Sequence, residues 1–373
     1  MAGLLRPSGD VMRAALIETC ARPPVVADRP APEPGPGREV VRVTAAPVTP
    51  LDLLCAGGAS YFGVPALPYV PGVQGVGTVA GRPVWFPTSA GMAPGDGSMA
   101  EAALARTDDL VELPAGADPY AVAALGLSAV AAYLALTWRG ELRAGEQVIV
   151  LGAGGVVGQA AIQLARLAGA RRVIAVARSA AARKRAHHAG ADAVVPIHHH
   201  DTPDETAGAS LPGTPADAEG ASLARTPADT EGASLARTPA DTAAEVAELA
   251  ARLLDACDGP ADLVLDPLFG VPAAAAARTL RDGGRLVNLG SSASETSPLD
   301  SSTIRSRSLR ILGYTNNSVT REQRAAAITY IAEQSSAGRL AVTHEVMPLA
   351  EVAEAWNRQA NGTANGRIVL RTT

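Results

Sequence analysis

The chain has 373 residues, of which 47% are hydrophobic and 18% charged, and a formal net charge of −5. That length accommodates two domains. Mild acidity without a basic cluster argues against nucleic acid as a partner, and no apolar run approaches the length of a membrane span.

Aromatic residues make up only 3% of the chain, so its core rests on Ala, Val and Leu. Cys20, Cys55 and Cys257 are odd in number and far apart in sequence. They fit a reducing cytoplasm, and neither a disulfide framework nor a structural zinc cluster. Residues 1–11 read as a loose extension without a signal-peptide core. From Met12 onward, short β segments are expected at 13–17, 30–37, 39–48, 75–79 and 84–86, divided by proline and glycine. Many short strands without helices predict a small barrel up to about residue 110. An alanine-rich helix is expected over 122–136.

The most informative stretch follows. Gln147-Val148-Ile149-Val150-Leu151 is too short for a helix and reads as a buried parallel strand. A glycine cluster comes next: Gly152, Ala153, Gly154, Gly155, Val156, Val157 and Gly158. A helical pattern runs over 159–168, and a second strand over 172–177. Strand, glycine turn, helix and strand make the unit that holds a dinucleotide, with its pyrophosphate on the free N–H groups of the helix start. The spacing G-x-G-x-x-G fails from Gly152, because Val157 takes the third glycine position. Shifted by one residue it reads Ala153-x-Gly155-x-x-Gly158, and the strand before and helix after make the signal strong.

An acidic residue at the end of the second strand would bind the ribose hydroxyls of NAD. Here the strand ends Ala177-Arg178-Ser179, with Arg183 and Lys184 beyond and no carboxylate nearby. A guanidinium there suits a 2′-phosphate, which favours NADPH (NADP).

A helix at 179–188 and a strand at 193–197 come next. Residues 201–242 then carry a 12-residue repeat, seen most clearly at 219–230 and 231–242. Each copy holds one leucine and a proline, too little apolar surface to offset the entropy of ordering it. The segment reads as a disordered insertion in a finished fold. His198-His199-His200-Asp201 at its mouth could bind metal, although adjacent histidines at a loop edge usually bind nothing specific. Alternation then resumes with a helix at 243–255, a strand at 261–266, a helix at 273–280, a strand at 284–289, a strand at 308–314 and a helix at 322–334. Strand ends at this edge face the cofactor, which brings Asn288 and Gly290 towards the nicotinamide. The tail, 342–371, reads as strand, helix and strand.

Several of these segments together resemble the medium-chain dehydrogenase/reductase superfamily, most closely its zinc-free quinone oxidoreductase branch. The motifs are Ala14-Ala15-Leu16-Ile17, Pro32-Glu33-Pro34-Gly35-Pro36-Gly37, Val48-Thr49-Pro50-Leu51-Asp52-Leu53, Pro68 to Gly77, Gly97-Ser98-Met99-Ala100-Glu101, the glycine fingerprint, Ala189-Gly190-Ala191-Asp192, Gly283-Gly284-Arg285-Leu286-Val287 and Gly366-Arg367-Ile368-Val369-Leu370. The resemblance implies an α/β protein: a GroES-like β-barrel domain (1–125, rejoined by 336–373) and a Rossmann doubly wound parallel-sheet domain (126–335). It implies NADP(H) and a small-molecule substrate in the cleft between them, and a homodimer paired through the 308–314 edge strand. Zinc-dependent members carry a Cys shortly before the Asp52 position and a His-Glu pair inside the Pro-Gly-x-x-Gly segment. Here those stretches are Val48-Thr49-Pro50 and Gly72-Val73-Gln74-Gly75, which offer no thiolate, imidazole or carboxylate.

The implied reaction is hydride transfer from NADPH to a quinone or an α,β-unsaturated carbonyl, with the protein supplying position and polarity. Tyr61 is the first candidate proton donor and Tyr69 the alternative; both could equally just line an apolar cleft. Thr49 stands where quinone reductases often have Asn, as a substrate or nicotinamide contact. Asp52 joins the candidate set as an orienting group rather than an acid. Ser128 is a candidate for the nicotinamide carboxamide, or a plain helical serine. Two other readings stay open: a biosynthetic enzyme of this fold doing non-redox chemistry on a bulky intermediate, and a non-catalytic binding protein whose repeat loop contacts a partner.

Overall fold

The computed structural model describes residues 11–58, 60, 62–198 and 238–373. Tyr61, His199, His200 and the repeat up to residue 237 lie outside the described residues.

β1 (Val11–Leu16) and β2 (Val25–Pro30) form an antiparallel pair of their own. Then come β3 (Arg38–Pro47), α1 (Pro50–Ala56), β4 (Gln74–Val79), β5 (Arg82–Pro87), β6 (Ala102–Arg106) and β7 (Val111–Glu112). α2 (Pro119–Leu134) leads to β8 (Gln147–Val150), α3 (Val156–Leu167), β9 (Arg172–Ala177), α4 (Ala180–His188) and β10 (Ala193–Pro196). α5 (Pro239–Ala256), β11 (Ala261–Asp266), α6 (Gly270–Ala277), β12 (Leu280–Asn288), α7 (Ser301–Ser306), β13 (Arg310–Gly313) and α8 (Arg321–Ser336) continue the alternation. β14 (His344–Pro348), α9 (Val352–Ala360) and β15 (Arg367–Arg371) close the chain.

Two large sheets result. Strands from both ends of the chain build a mixed sheet ordered β14-β15-β3-β4-β5-β7, with β6 added on β3. The middle of the chain builds a parallel sheet ordered β10-β9-β8-β11-β12-β13. The chain enters this sheet at β8, runs out to β10, and returns beside β8 as β11. The order therefore reverses between β8 and β11, where an open α/β sheet holds its ligand. Both faces are covered. Val148 and Val150 pack towards α2, α3 and α8, while Ile149 and Leu151 pack towards α5 and α6. That alternation is the period of a strand, and burial on both sides explains why β8 reads as continuously apolar.

Three departures from the sequence expectation have clear causes. The barrel region is not free of helices: α1 forms because Thr49 caps it, Pro50 opens it and Asp52 completes a capping box. The strand expected over 30–37 lies earlier, at β2, because the Pro-Gly run that follows cannot supply a ladder of N–H donors. The helix expected at 243 begins at Pro239, inside the presumed insertion, with Thr238 and Asp241 forming another capping box. The stretch Pro119–Arg139 is also long and apolar enough to cross a membrane, contrary to expectation. It serves here as a core helix, with 67% of its most apolar window buried. Gly126, at φ 33° and ψ −135°, kinks it beside β4.

Candidate functional site

The glycine turn at the end of β8 is built from backbone requirements. Gly152 sits at φ +62°, a left-handed conformation that side chains resist. Ala153 then donates its N–H to the Val176 carbonyl at 2.9 Å, which ties the turn to β9. Gly155 caps α3 with no side-chain hydrogen bond. The amides of Val156, Val157 and Gly158 thus belong to a first helical turn with no preceding carbonyl to accept them. A Cβ on Gly158 would stand 2.5 Å from the Ala153 Cα and 2.6 Å from the Gly152 carbonyl oxygen, so the helix lies hard against the turn. A Cβ on Gly154 would collide with Ala182 of α4. A Cβ on Gly155 meets nothing closer than 3.6 Å, so its open face looks into a cleft. This cradle fits a pyrophosphate.

The cleft has a volume of about 1460 Å³ and runs between the two sheets. Gly154, Gly155, Arg178 and Ser179 are among its lining residues. The Ser179 hydroxyl also caps α4, accepting from the Ala182 N–H at 3.2 Å. Arg183 is not among the lining residues; its guanidinium donates to the Arg178 carbonyl at 2.8 Å. Arg185 takes that place. It lines the cleft, and its Nε donates to the Gly154 carbonyl at 3.0 Å. Burial holds its pKa below the usual arginine value. The signal for Arg185 was periodicity. Once Ser179 is the cap, Ala182 and Arg185 lie three residues apart on the face towards the glycine turn.

At the end of β12, Asn288 and Gly290 stand behind the cleft wall rather than on it. The Asn288 amide donates to the Asp266 carboxylate at 3.0 Å and to the Gly290 carbonyl at 2.8 Å. Asp266 is fully buried and also accepts from the amides of Leu268 and Phe269 at 2.9 and 2.8 Å. Burial pushes its carboxyl up, against the pull of those donors. The cleft wall here is Ser292, Ala293 and Ser294.

On the mixed-sheet side, Thr49 and Asp52 are engaged with each other. The Thr49 hydroxyl and amide donate to one Asp52 oxygen at 2.6 and 2.8 Å. The other oxygen accepts from the amides of Gly72 and Val73 at 3.1 and 2.9 Å. The pair clamps the Gly72 turn onto α1, and α1 presents Pro50 and Leu53 to the cleft instead. Burial pushes the Asp52 carboxyl up; its donors and the Arg367 guanidinium oppose that. Arg367 is itself buried, and donates to the Val48 carbonyl at 2.9 Å and the Ser128 hydroxyl oxygen at 3.0 Å. Burial lowers its pKa to about 10, with Asp52 resisting. Ser128 is therefore held by an arginine that the sequence offered only as part of a motif. Tyr69 is 4% exposed in the barrel core, where burial, and then Asp52, Cys55 and Cys20, push its phenol up.

The residues at the expected zinc positions do not fit a zinc ion. The Gln74 oxygen accepts from the Trp85 indole at 3.1 Å and the Leu127 amide at 2.8 Å, and Val73 has no donor atom. Among the described residues no group of three His, Cys, Asp or Glu side chains could hold a metal.

The family described as zinc-binding dehydrogenases matches residues 156–218 and 236–370. The quinone oxidoreductase of Lama guanicoe is 34% identical over 169 residues, covering 42% of this chain and 50% of that protein. Among solved structures, the quinone oxidoreductase from Thermus thermophilus, described with its NADPH complex, superposes at a TM-score of 0.69 and 27% identity. That match covers 96% of this chain and 100% of the other. This chain belongs to the medium-chain dehydrogenase/reductase superfamily, on its quinone-oxidoreductase-like branch. A probable oxidoreductase from Mycobacterium abscessus has a similar fold, with a TM-score of 0.72, 25% identity and 98% of this chain covered. The aligned stretch spans about half the length of the curated relatives. For a medium-chain dehydrogenase/reductase, the clamp between Thr49 and Asp52 and the locked Gln74 amide mean that α1 and β4 present no metal-binding set to the cleft.

Proposed function

We propose that this chain is a metal-independent, NADPH-dependent oxidoreductase that transfers hydride to a quinone or an α,β-unsaturated carbonyl. The observation that carries the cofactor choice is the end of β9. Arg178, Ser179 and Arg185 line the cleft there, and the end of β9 itself carries no carboxylate for a ribose 2′-hydroxyl; the lining carboxylates Glu245 and Glu248 belong to α5. A guanidinium pair and a hydroxyl at a helix start are complementary to a 2′-phosphate.

Bound in this cleft, NADPH supplies the hydride. The first-turn amides of α3 hold the pyrophosphate, and Gly155 lets it approach. Asn288, locked by Asp266, fixes the loop that walls the nicotinamide end. Arg367 fixes Ser128, whose hydroxyl proton remains free to point at a carboxamide. Pro50 and Leu53 line the cleft from the α1 side and give it an apolar wall there. The free thiols of Cys20, Cys55 and Cys257 suit a reducing cytoplasm. Among the described residues β13 is an edge strand paired only with β12, which suits a homodimer formed by pairing two such edges.

The test is binding. An Arg178→Ala variant is expected to weaken NADPH about ten- to hundredfold, the size of a lost charge-assisted hydrogen bond, and NADH far less. Equal losses for both nucleotides, measured by fluorescence titration, would remove the reason for preferring NADPH.

A further inference from the structure

Helix α3 does more than offer its first amides to a phosphate. Gln159 and Gln163 lie one turn apart on it and share a face. The Gln163 amide grips the backbone of Ala341 both ways, accepting from its N–H at 3.0 Å and donating to its carbonyl at 2.7 Å. The Gln159 oxygen accepts from the Thr343 N–H at 3.2 Å and from the Thr343 hydroxyl at 3.3 Å. Here the chain crosses from the parallel-sheet half to the mixed sheet. Leu340 and Val342 pack in the core that α2, α3 and α8 cover, whereas Met347 and Leu349 pack in the core of the mixed sheet. Two side-chain amides thus hold alternate residues of the crossing segment.

Gln159 has a second attachment. Its Nε2 donates to the Gly154 carbonyl at 3.1 Å, the same carbonyl that takes the Arg185 Nε. With a carbonyl on one side and an N–H on the other, the buried amide fits one way round only. Beyond Thr343 the connection continues. The Thr343 carbonyl accepts from the Arg367 N–H at 2.9 Å. A Cβ on Gly366 would stand 2.1 Å from that carbonyl oxygen, so the start of β15 is seated directly on the crossing. The Arg367 guanidinium in turn holds the Val48 carbonyl and the Ser128 hydroxyl. Val48 leads into α1, whose Pro50 and Leu53 line the cleft.

We propose that Gln159 is a positioning residue for hydride transfer: by tying the Gly154 carbonyl to Thr343 it sets the separation between the phosphate cradle and the mixed-sheet wall, and so the approach of acceptor to nicotinamide. This rests on the reductase reading above and deepens it. Gln159 is not among the lining residues, so it acts through the turn and the crossing rather than on a ligand. The reacting atoms must come to about 3–3.5 Å, and a displacement of about 1 Å costs about a hundredfold.

The test compares Gln159→Leu with Gln163→Leu in the full chain. Both delete an amide that holds the crossing, but only the Gln159 amide reaches the glycine turn. In Gln159→Leu, kcat with NADPH and naphthoquinone or cyclohexenone should fall about tenfold or more. The KM of the acceptor and the Kd of NADPH should move by less than about threefold, the split expected when only the reacting geometry is lost. NADPH deuterated at the transferred position should show a larger isotope effect on kcat than in the wild type, because the hydride step has slowed. Gln163→Leu should lower the melting temperature comparably and leave kcat within about threefold of wild type. Fluorescence lifetime gives a readout without turnover: the reduced nicotinamide of bound NADPH should decay faster in Gln159→Leu than in wild type. Thr343→Val removes one of the two bonds to the Gln159 oxygen, should fall between, and carries the comparison if Gln159→Leu does not fold. Wild-type kcat and lifetime in Gln159→Leu, equal kcat losses in the two glutamine variants, or a loss confined to NADPH affinity overturns the proposal and leaves the reductase reading standing. A wild type that binds NADPH but oxidises it with neither acceptor overturns both.

Discussion

Two glycines three residues apart should fail in opposite ways when each gains a methyl group. Gly155 has φ −78° and ψ 169°, extended backbone that alanine adopts freely. Its added Cβ meets nothing within 3.6 Å. Losing glycine at an N-cap costs a few tenths to about 1 kcal/mol, and restricting the unfolded chain returns about 0.4–1 kcal/mol. Gly155→Ala should therefore melt close to the wild type. Its methyl nonetheless stands between the α3 amides and an arriving phosphate, so NADPH should bind at least about tenfold more weakly, equivalent to about 1.4 kcal/mol. Gly158→Ala is the reverse case. Its Cβ would lie 2.5 and 2.6 Å from backbone atoms of Ala153 and Gly152, neither of which is a flexible tip. Ordinary carbon contacts are about 3.5–4.0 Å, so α3 must move bodily away, at a cost of about 1–3 kcal/mol. Thermal unfolding and fluorescence titration of the two variants separate the effects. Wild-type affinity in Gly155→Ala, or wild-type stability in Gly158→Ala, would refute this account of the turn.

Other perturbations test the rest of the site. Thr49→Ala should cost about 0.5–2 kcal/mol as a lost helix cap, seen in urea denaturation, and leave NADPH affinity unchanged; a collapse of affinity would restore a direct role for the hydroxyl. Glu146 is buried with Arg285, which it meets through two hydrogen bonds of 2.8 and 2.5 Å. Burial raises the Glu146 pKa, but Arg285, the Arg143 amide and Arg281 outweigh it and the net shift is downward. A depressed carboxyl stabilises the fold above its unfolded pKa, about 4.3, and that contribution is lost as pH falls through the folded value. Glu146→Ala should cost about 3–5 kcal/mol at neutral pH, because Arg285 stays buried and unpaired, and should flatten the acid limb of a stability–pH curve. An unchanged acid limb would assign the sensitivity elsewhere. Ile311→Lys on the β13 edge should convert a dimer into a monomer in analytical ultracentrifugation; a wild-type monomer would end the edge-pairing proposal.

The dinucleotide unit was legible because its signals are local. A strand buried on both faces must be apolar throughout, and a tight turn under a helix start must be glycine, so β8, the turn and β9 could be read residue by residue. Two capping boxes were equally local and were read differently. Thr49-Pro50-Leu51-Asp52 was weighed for chemistry, and Thr238-Pro239-Ala240-Asp241 was assigned to the repeat, although both open helices. The same Thr-Pro-Ala-Asp tetrapeptide stands at 226–229 and 214–217, which explains why it looked like repeat rather than helix start.

What the sequence determined alone is the strand–helix alternation of the parallel-sheet half, the glycine turn under α3 and the positive charge at the end of β9. These follow from period, glycine placement and residue type within some thirty positions. Tertiary structure alone decided that Arg367 reaches Ser128 across 239 positions, that Asp52 also takes the amides of Gly72 and Val73, and that the Gln359 oxygen is left without a donor among the described residues. Each of these depends on which distant backbone or side chain arrives within hydrogen-bonding distance, and no local pattern encodes that arrival.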